Sequence, residues 1–390
     1  MSRKRLLLIG AGHTHLHLVR AWQKRTPADV EVKVVSQFPT ATYSGMLPGT
    51  LAGLYHPDEM TIRVQEICQA CGMVAHLSQA TKLNEDLHSV TLEDGQVLEA
   101  DYLSFGTGSE SFLPQVSGKS PGLIPIKPMP TFLQRLAAWK AWHLKRSQLQ
   151  RGKARPRIAI LGAGAAGIEI AFSINEMFWK QSIPAQVTIY DRNDVLLPER
   201  KQKTRTLILN ELERRGIEGR WNCSCEQLVA TDEMTAADPV QLTLSDQSVV
   251  GCDLVLVCMG AVPNAMTKSA PVKKDDRGFL AIRETLQLLE HDHLFAVGDT
   301  ATFIANPHPK AGVYAVRQGA FLEHNLSAMM LQRPLKSYRP QSSFLSLIAT
   351  GDERAFVDYA GFSRYGRWEW WLKDRIDRTF MRKYQSLYSH

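Results

Sequence analysis

Two glycine-rich turns of the dinucleotide-binding type constrain this 390-residue chain more than any other feature, one opening at Gly10 in LLLIGAGHTHLHL and one at Gly162 in RIAILGAGAAGIEIAF. Each follows an apolar run and opens a helical pattern, and that context lifts a GxGxxG match above chance. In such a unit the first glycine makes a tight turn, the second lets the backbone approach a pyrophosphate, and the helix N-terminus faces the phosphate charge. Two units in one chain can hold two dinucleotides face to face. The expected class is therefore α/β, with two Rossmann-like domains.

With 44% hydrophobic and 22% charged residues, the length suits two or three globular domains with sizeable cores. The longest apolar runs, such as Leu6 to Ile9 and Leu254 to Met259, fall far short of the ~20 residues that a membrane-spanning helix needs. The start, MSRKRLLLIG, is basic and then apolar, but it enters the first glycine turn with no small-residue cleavage site. It reads as a first strand, and the protein as cytoplasmic. None of the six cysteines has zinc-ligand spacing, and the count does not imply a disulfide framework. Cys68 and Cys71 form a CxxC that reads as two packed helix thiols, because the electropositive helix start that activates thiolates is missing. The net charge of +7 comes with no nucleic-acid motif, so it points to an anionic cofactor or a membrane surface.

The first unit runs from a strand at Arg5 to Ile9 through a helix at about His13 to Lys24 to a strand at Val30 to Val35. It departs from the pattern twice: His15 stands at the third glycine position, and Ser36 stands where an acid usually meets the ribose. The helix is expected to pack less closely, with other groups holding the adenosine end. His13, His15 and His17 alternate along a helix and cannot converge on one ion, so no metal is expected. The second unit is complete, with Gly162, Gly164 and Gly167, and its next strand, Gln186 to Tyr190, ends at Asp191. An acid there accepts hydrogen bonds from the ribose hydroxyls of NADH and repels a 2′-phosphate. Arg192, with Arg200, Lys201, Lys203 and Arg205, weakens that preference and leaves NADPH open.

Three further segments follow a common form. Leu103 to Glu110, with Thr107 and Gly108, and Leu254 to Asn264, with Gly260, are apolar strands ending in small residues where the chain leaves a sheet. His293 to Ala301 ends in Gly298-Asp299. In this order, over about residues 3 to 330, the five motifs resemble the two-dinucleotide-binding-domain flavoproteins, the pyridine nucleotide-disulfide oxidoreductase superfamily. The resemblance implies an NAD(P)H-binding domain at 117–262 inserted in an FAD-binding domain at 1–116 and 263–334. It implies FAD at Gly10, Gly12, His13, Ser36, Tyr43, Pro48, Thr107, Gly108, Gly298, Asp299 and Gly312, with Asp299 on the ribityl chain. NADH falls to Gly162, Gly164, Gly167, Asp191 and Gly260.

Thr40 to Tyr55 lacks the cysteine pair that the disulfide branch carries beside the flavin. Its YSGMLPG resembles the flavoprotein module fused to selenophosphate synthetase in some organisms, and more distantly the type II NADH dehydrogenases. The implied activity is hydride transfer from NADH to FAD and onward to an acceptor, a quinone first of all. A soluble selenium or sulfur compound, or a redox-sensing protein that only binds FAD and NADH, are the rivals. The resemblance puts Glu169 near the nicotinamide as one catalytic residue. A helix over His308 to Leu326 is implied to point its N-terminus at the flavin pyrimidine, and Lys310 to add charge there. Type II enzymes carry two glutamines near the quinone in that helix; here Val313 and Arg317 take their places, while Gln318 is retained.

Pro334 and Pro340 break the chain after that helix, and short antiparallel strands are expected next, with a turn at Gly351-Asp352. After Gly366, Trp368, Leu372, Ile376, Phe380 and Tyr384 recur at four-residue intervals, with Lys373, Asp374, Asp377, Arg378 and Arg382 on other faces. This 335–390 region reads either as a membrane-association segment, lying on a bilayer through 367–388, or as a stripe packed on the protein itself or on a twin subunit of a homodimer.

Overall fold

The computed structural model describes residues 3–23, 27, 29–149 and 155–388; Lys24, the expected end of the first helix, lies outside them. Strand β1 (Lys4–Ile9) is buried on both faces over its last four residues, as a parallel strand covered by helices must be. It pairs in parallel with β2 (Val30–Val35) and β3 (Tyr102–Phe105), and α1 (His13–Trp22) makes the crossover between the first two. These strands sit inside an eight-stranded sheet edged by Val74–His76 on one side and Ala301–Phe303 on the other.

After β3 the chain leaves this sheet to build a second one. There β4 (Arg157–Leu161), followed by α2 (Ala165–Lys180), pairs with β5 (Gln186–Tyr190) and β6 (Leu254–Val257). Leu123–Pro125 and Glu218–Arg220 complete five parallel strands. The chain then re-enters the first sheet at Leu280–Ile282 and Gln287–Leu288 and reaches β7 (His291–Ala296), which lies directly beside β3. The second fingerprint unit is thus inserted between two neighbouring strands of the first, which is the expected α/β architecture. Helix α3 (Gly312–Met330) closes the first unit along α1, so tightly that a Cβ on Gly319 would meet the His17 side chain at 2.7 Å. It starts later than His308 because His308 precedes Pro309, which disfavours helical backbone there, and Ala311 is extended (φ −136°, ψ 142°).

Three antiparallel strands, β8 (Ser346–Ala349), β9 (Ala355–Tyr359) and β10 (Phe362–Gly366), lead into α4 (Arg367–Gln385), with the expected turn between the first two. Buried Arg215 ties this unit to the second domain: its guanidinium meets Glu211 at 2.6 Å, Asp352 at 2.7 Å and the Thr350 carbonyl at 2.9 Å. Among the described residues no helix is long and apolar enough to cross a membrane.

Candidate functional site

The first glycine turn is held by contact with the next strand. Gly10 has φ 94°, and a Cβ there would lie 2.3 Å from the Gly106 carbonyl oxygen. Gly12 precedes α1 with no side-chain cap and no acid in the first turn, so the positive end of the helix is free to meet an anion. The looser packing expected from His15 does not occur. Its ring is buried, with Nδ1 2.5 Å from the Gly10 carbonyl and Nε2 2.8 Å from Ser104 Oγ. A carbonyl only accepts, so Nδ1 carries the proton and Ser104 donates to Nε2. A Cβ on Gly106 would strike this ring at 2.7 Å, so the space that the third glycine normally supplies has moved to Gly106. Ser36 is buried and donates to the Phe38 carbonyl at 2.7 Å, which satisfies its hydroxyl within its own loop.

Thr107, Gly108, Gly298 and Asp299 converge beside this turn. The Thr300 hydroxyl accepts from the Gly108 amide at 2.8 Å, Thr107 accepts from Asn264 at 2.9 Å, and the Gly298 amide donates to Gln318 at 2.6 Å. Asp299 accepts from Lys127 at 2.6 Å and from Ser109 at 3.1 Å. Burial works to raise the Asp299 pKa, and the Lys127 charge outweighs it, so the carboxylate stays below its ordinary range. The Lys310 ammonium folds back onto the Ala301 carbonyl and Thr302, 3.9 Å above the Phe279 ring, and does not stand free ahead of α3. Burial brings its pKa to about 8. Gly312, the first residue of α3, lies beside Ser44, and Pro48 is buried at the start of the short helix Leu47–Leu51.

In the second turn the tightest clearance lies within the motif, although a Cβ on Gly162 would also meet the Cys258 carbonyl at 3.0 Å. A Cβ on Gly167 would fall 1.8 Å from the Gly162 carbonyl, whereas one on Gly164 would meet nothing within 4 Å, which leaves room for a pyrophosphate. Helix α2 likewise starts without a cap or an acid in its first turn. Asp191 accepts from the Ala163 amide at 2.5 Å and from the Asn193 amide and side chain at 2.8 and 2.7 Å, so its carboxylate is locked to the turn. A Cβ on Gly260 would also meet open space.

A partly buried polar row links α2 and the Tyr43 loop to the C-terminal strands and helix. Glu169, on α2, accepts from the Ala349 amide at 2.9 Å. Burial pushes its pKa up to about 7, against the Lys373 charge and with help from Asp377. Lys373 donates to the Gly45 carbonyl at 2.7 Å and to Asp377 at 3.0 Å, and Asp377 accepts from the Tyr43 hydroxyl at 3.0 Å. Burial of the Lys373 ammonium works to lower its pKa, but Asp377 and Glu169 raise it on balance. Lys373 and Asp377 are expected on faces other than the apolar stripe. Instead α4 turns them inward with Trp370, Met381 and Tyr384, and leaves Trp368, Trp371, Leu372 and Ile376 at 68%, 51%, 36% and 41% exposure. Mutual neutralisation and partners on the Tyr43 loop offset the cost of burying the two charges. Lys127 and Asn193 carry no motif and escaped the sequence reading, and Lys373 and Asp377 entered it only as charges of the C-terminal helix.

The histidines of HTHLH diverge: His13 faces Tyr43 and Phe380, His15 faces Gly10 and Ser104, and His17 faces Gly319. Among the described residues no group of three or more metal-ligating side chains comes together. Cys68 and Cys71 are free and buried, and burial pushes their thiols up to about 12 and about 11.

Comparison with known proteins agrees with this geometry. Demethylphylloquinone reductase NdbB of Synechocystis sp. is 24% identical over 90% of this chain and 86% of its own length. Ferroptosis suppressor protein 1 of Homo sapiens is 24% identical over 70% of this chain and 68% of its own. The sulfide:quinone oxidoreductase of Aquifex aeolicus shares the fold, with a TM-score of 0.78 at 16% identity over 98% of this chain and 92% of that one. The family model of the pyridine nucleotide-disulphide oxidoreductases matches residues 4–319, a stretch that holds both glycine turns and both aspartates, and the chain belongs to that family.

Proposed function

We propose that the chain is an FAD-dependent NAD(P)H dehydrogenase that passes electrons to a quinone. In this reading residues 1–116 and 263–334 hold FAD, 117–262 hold NADH or NADPH, and 335–390 close the site. The observation that carries it is the pair of uncapped helix starts behind tight glycine turns, each with its aspartate in place. FAD fits the first, with its pyrophosphate at Gly10, Gly12 and the start of α1 and its ribityl chain at Asp299; NADH fits the second, with its ribose at Asp191. When bound, FAD supplies a two-electron carrier between hydride donor and acceptor.

NADH, a proton and a quinone give NAD⁺ and a quinol, so one proton beyond the hydride must reach the acceptor. Glu169, poised near neutrality by burial, holds a proton on α2 close to Lys373 and Asp377. Lys373, Asp377 and Tyr43 fix the wall of that space and exclude water from it. A relative named for reducing demethylphylloquinone supports the quinone. The buried, unactivated Cys68 and Cys71 argue against a thiol relay.

The test is NADH oxidation by purified protein with a quinone, ferricyanide, oxygen and selenite as separate acceptors. A yellow protein with a quinone turnover well above the others is expected. A colourless protein that takes up no flavin on reconstitution overturns the reading. Turnover with selenite alone favours the selenophosphate synthetase-linked resemblance, and binding without turnover favours a sensor. The outer face of α4, where Trp368, Trp371, Leu372 and Ile376 stand with Arg367 and Arg375, supports a peripheral contact of 367–388 with a cytoplasmic membrane surface. Replacing both tryptophans by serine is expected to abolish sedimentation with anionic vesicles; a variant that instead changes a dimer into a monomer makes this face a subunit interface.

A further inference from the structure

His13 stands where the first glycine turn, the Tyr43 loop and α4 meet. Its backbone belongs to the start of α1, and its ring meets two other aromatic rings. The ring is edge-on to Tyr43 and to Phe380, with centroids 5.4 Å from each, while those two rings stack at 4.4 Å. Edge-to-face and stacked contacts of this kind also serve to hold a flat aromatic ligand.

The polar capacity of this wall is concentrated on one atom. Tyr43 is committed to Asp377, and Lys373 to Asp377 and the Gly45 carbonyl. By contrast His13 Nδ1 is buried and has no hydrogen-bond partner among the described residues. The neighbouring His15 has both ring nitrogens engaged, one with the Gly10 carbonyl and one with Ser104. A buried ring nitrogen left unpaired is costly, and a ligand group that meets it recovers that cost. Burial lowers the His13 pKa to about 4 against the pull of Asp299, so the ring is neutral at pH 7. In the tautomer that carries its proton on Nδ1, the neutral ring offers a donor to an uncharged carbonyl and gives a phosphate or carboxylate no ionic partner.

We infer that His13 Nδ1–H donates the hydrogen bond that anchors a carbonyl oxygen of the acceptor quinone, seated against Tyr43 and Phe380. The inference rests on the quinone reading above and adds the residue that recognises the acceptor.

The holoenzyme with His13→Phe keeps an aromatic ring and loses the donor, and His13→Gln restores one. Quinone affinity of the oxidised holoenzyme, read by flavin-fluorescence titration with a short-chain quinone, is expected to fall about tenfold in His13→Phe and to recover most of that in His13→Gln. The ratio of quinone to ferricyanide turnover is expected to fall by a similar factor. In wild-type holoenzyme labelled with ¹⁵N-histidine, the quinone is expected to shift the His13 Nδ1 resonance, which tests the contact even if a variant fails to fold. An unchanged resonance, or an unchanged affinity in His13→Phe, overturns the inference. So does loss of FAD from His13→Phe, because the partner of the ring is then the cofactor. A wild-type enzyme that reduces ferricyanide but neither binds nor reduces quinones removes the quinone reading and this inference together.

Discussion

The two glycine turns reach the same backbone geometry by different distributions of space. In the second, the critical clearance lies inside the motif, between Gly167 and the Gly162 carbonyl. In the first, a histidine ring fills the position where that glycine would stand, and the clearance sits on the neighbouring strand at Gly106. The motif is a requirement for room and not for a residue at a fixed offset. His15 returns two hydrogen bonds for the room it takes, fastening the turn to Ser104 of β3.

The sharpest way to break this comparison is Gly167→Val. The added Cβ meets backbone that cannot give, so the variant is expected to lose about 3 kcal/mol or more in urea unfolding. A mild effect would show that the second turn tolerates displacement. Next come the paired aspartates. Asp299→Ala is expected to weaken FAD retention, and Asp191→Ala to raise the KM for NADH more than for NADPH. Each loss is on the order of tenfold to a hundredfold, the worth of one charged hydrogen bond. Wild-type turnover faster with NADPH would put Arg192 and its basic neighbours in control.

A smaller effect tests the transferred space directly. Gly106→Ala is expected to cost about 1–2 kcal/mol by crowding the His15 ring, and adding His15→Gly is expected to recover most of it. Independent, additive losses would separate the two residues. The smallest effect concerns pH. Burial raises the folded-state pKa of Glu169 from its ordinary 4.5 to about 7, so the folded protein holds the proton more tightly than the unfolded chain. Stability from this group therefore falls as pH rises from about 4.5 to about 7 and levels off above. Glu169→Gln is expected to flatten that slope in denaturation midpoints measured across the range.

Much of this was legible in the sequence because its signals are local. The glycine spacings, the strands before them and the acids at Asp191 and Asp299 lie within short windows whose geometry the backbone fixes. The buried row was not legible. Lys373 meets Gly45 across most of the chain, Lys127 meets Asp299 across the inserted domain, and Glu169 meets Ala349 from the C-terminal sheet. On α4, periodicity marked an apolar stripe, yet the inward face is the one holding Lys373 and Asp377. Apolar spacing reports amphipathicity, and here the stripe splits: Phe380 and Tyr384 pack inward with the mutually compensated Lys373 and Asp377, while Trp368, Leu372 and Ile376 stay exposed.

The adjacency of β3 and β7 has a consequence for how the molecule is made. Everything from Gly106 to Glu290 leaves the ribosome between two strands that must lie side by side. The first sheet is therefore held open during synthesis while the inserted domain, whose strand pairings are closer in sequence, can complete itself. Gly10 emerges early and Asp299 late, so under the proposed assignment a nascent chain would carry the phosphate end of its flavin site long before the ribityl end. Flavin capture would then mark the moment when the chain closes on itself.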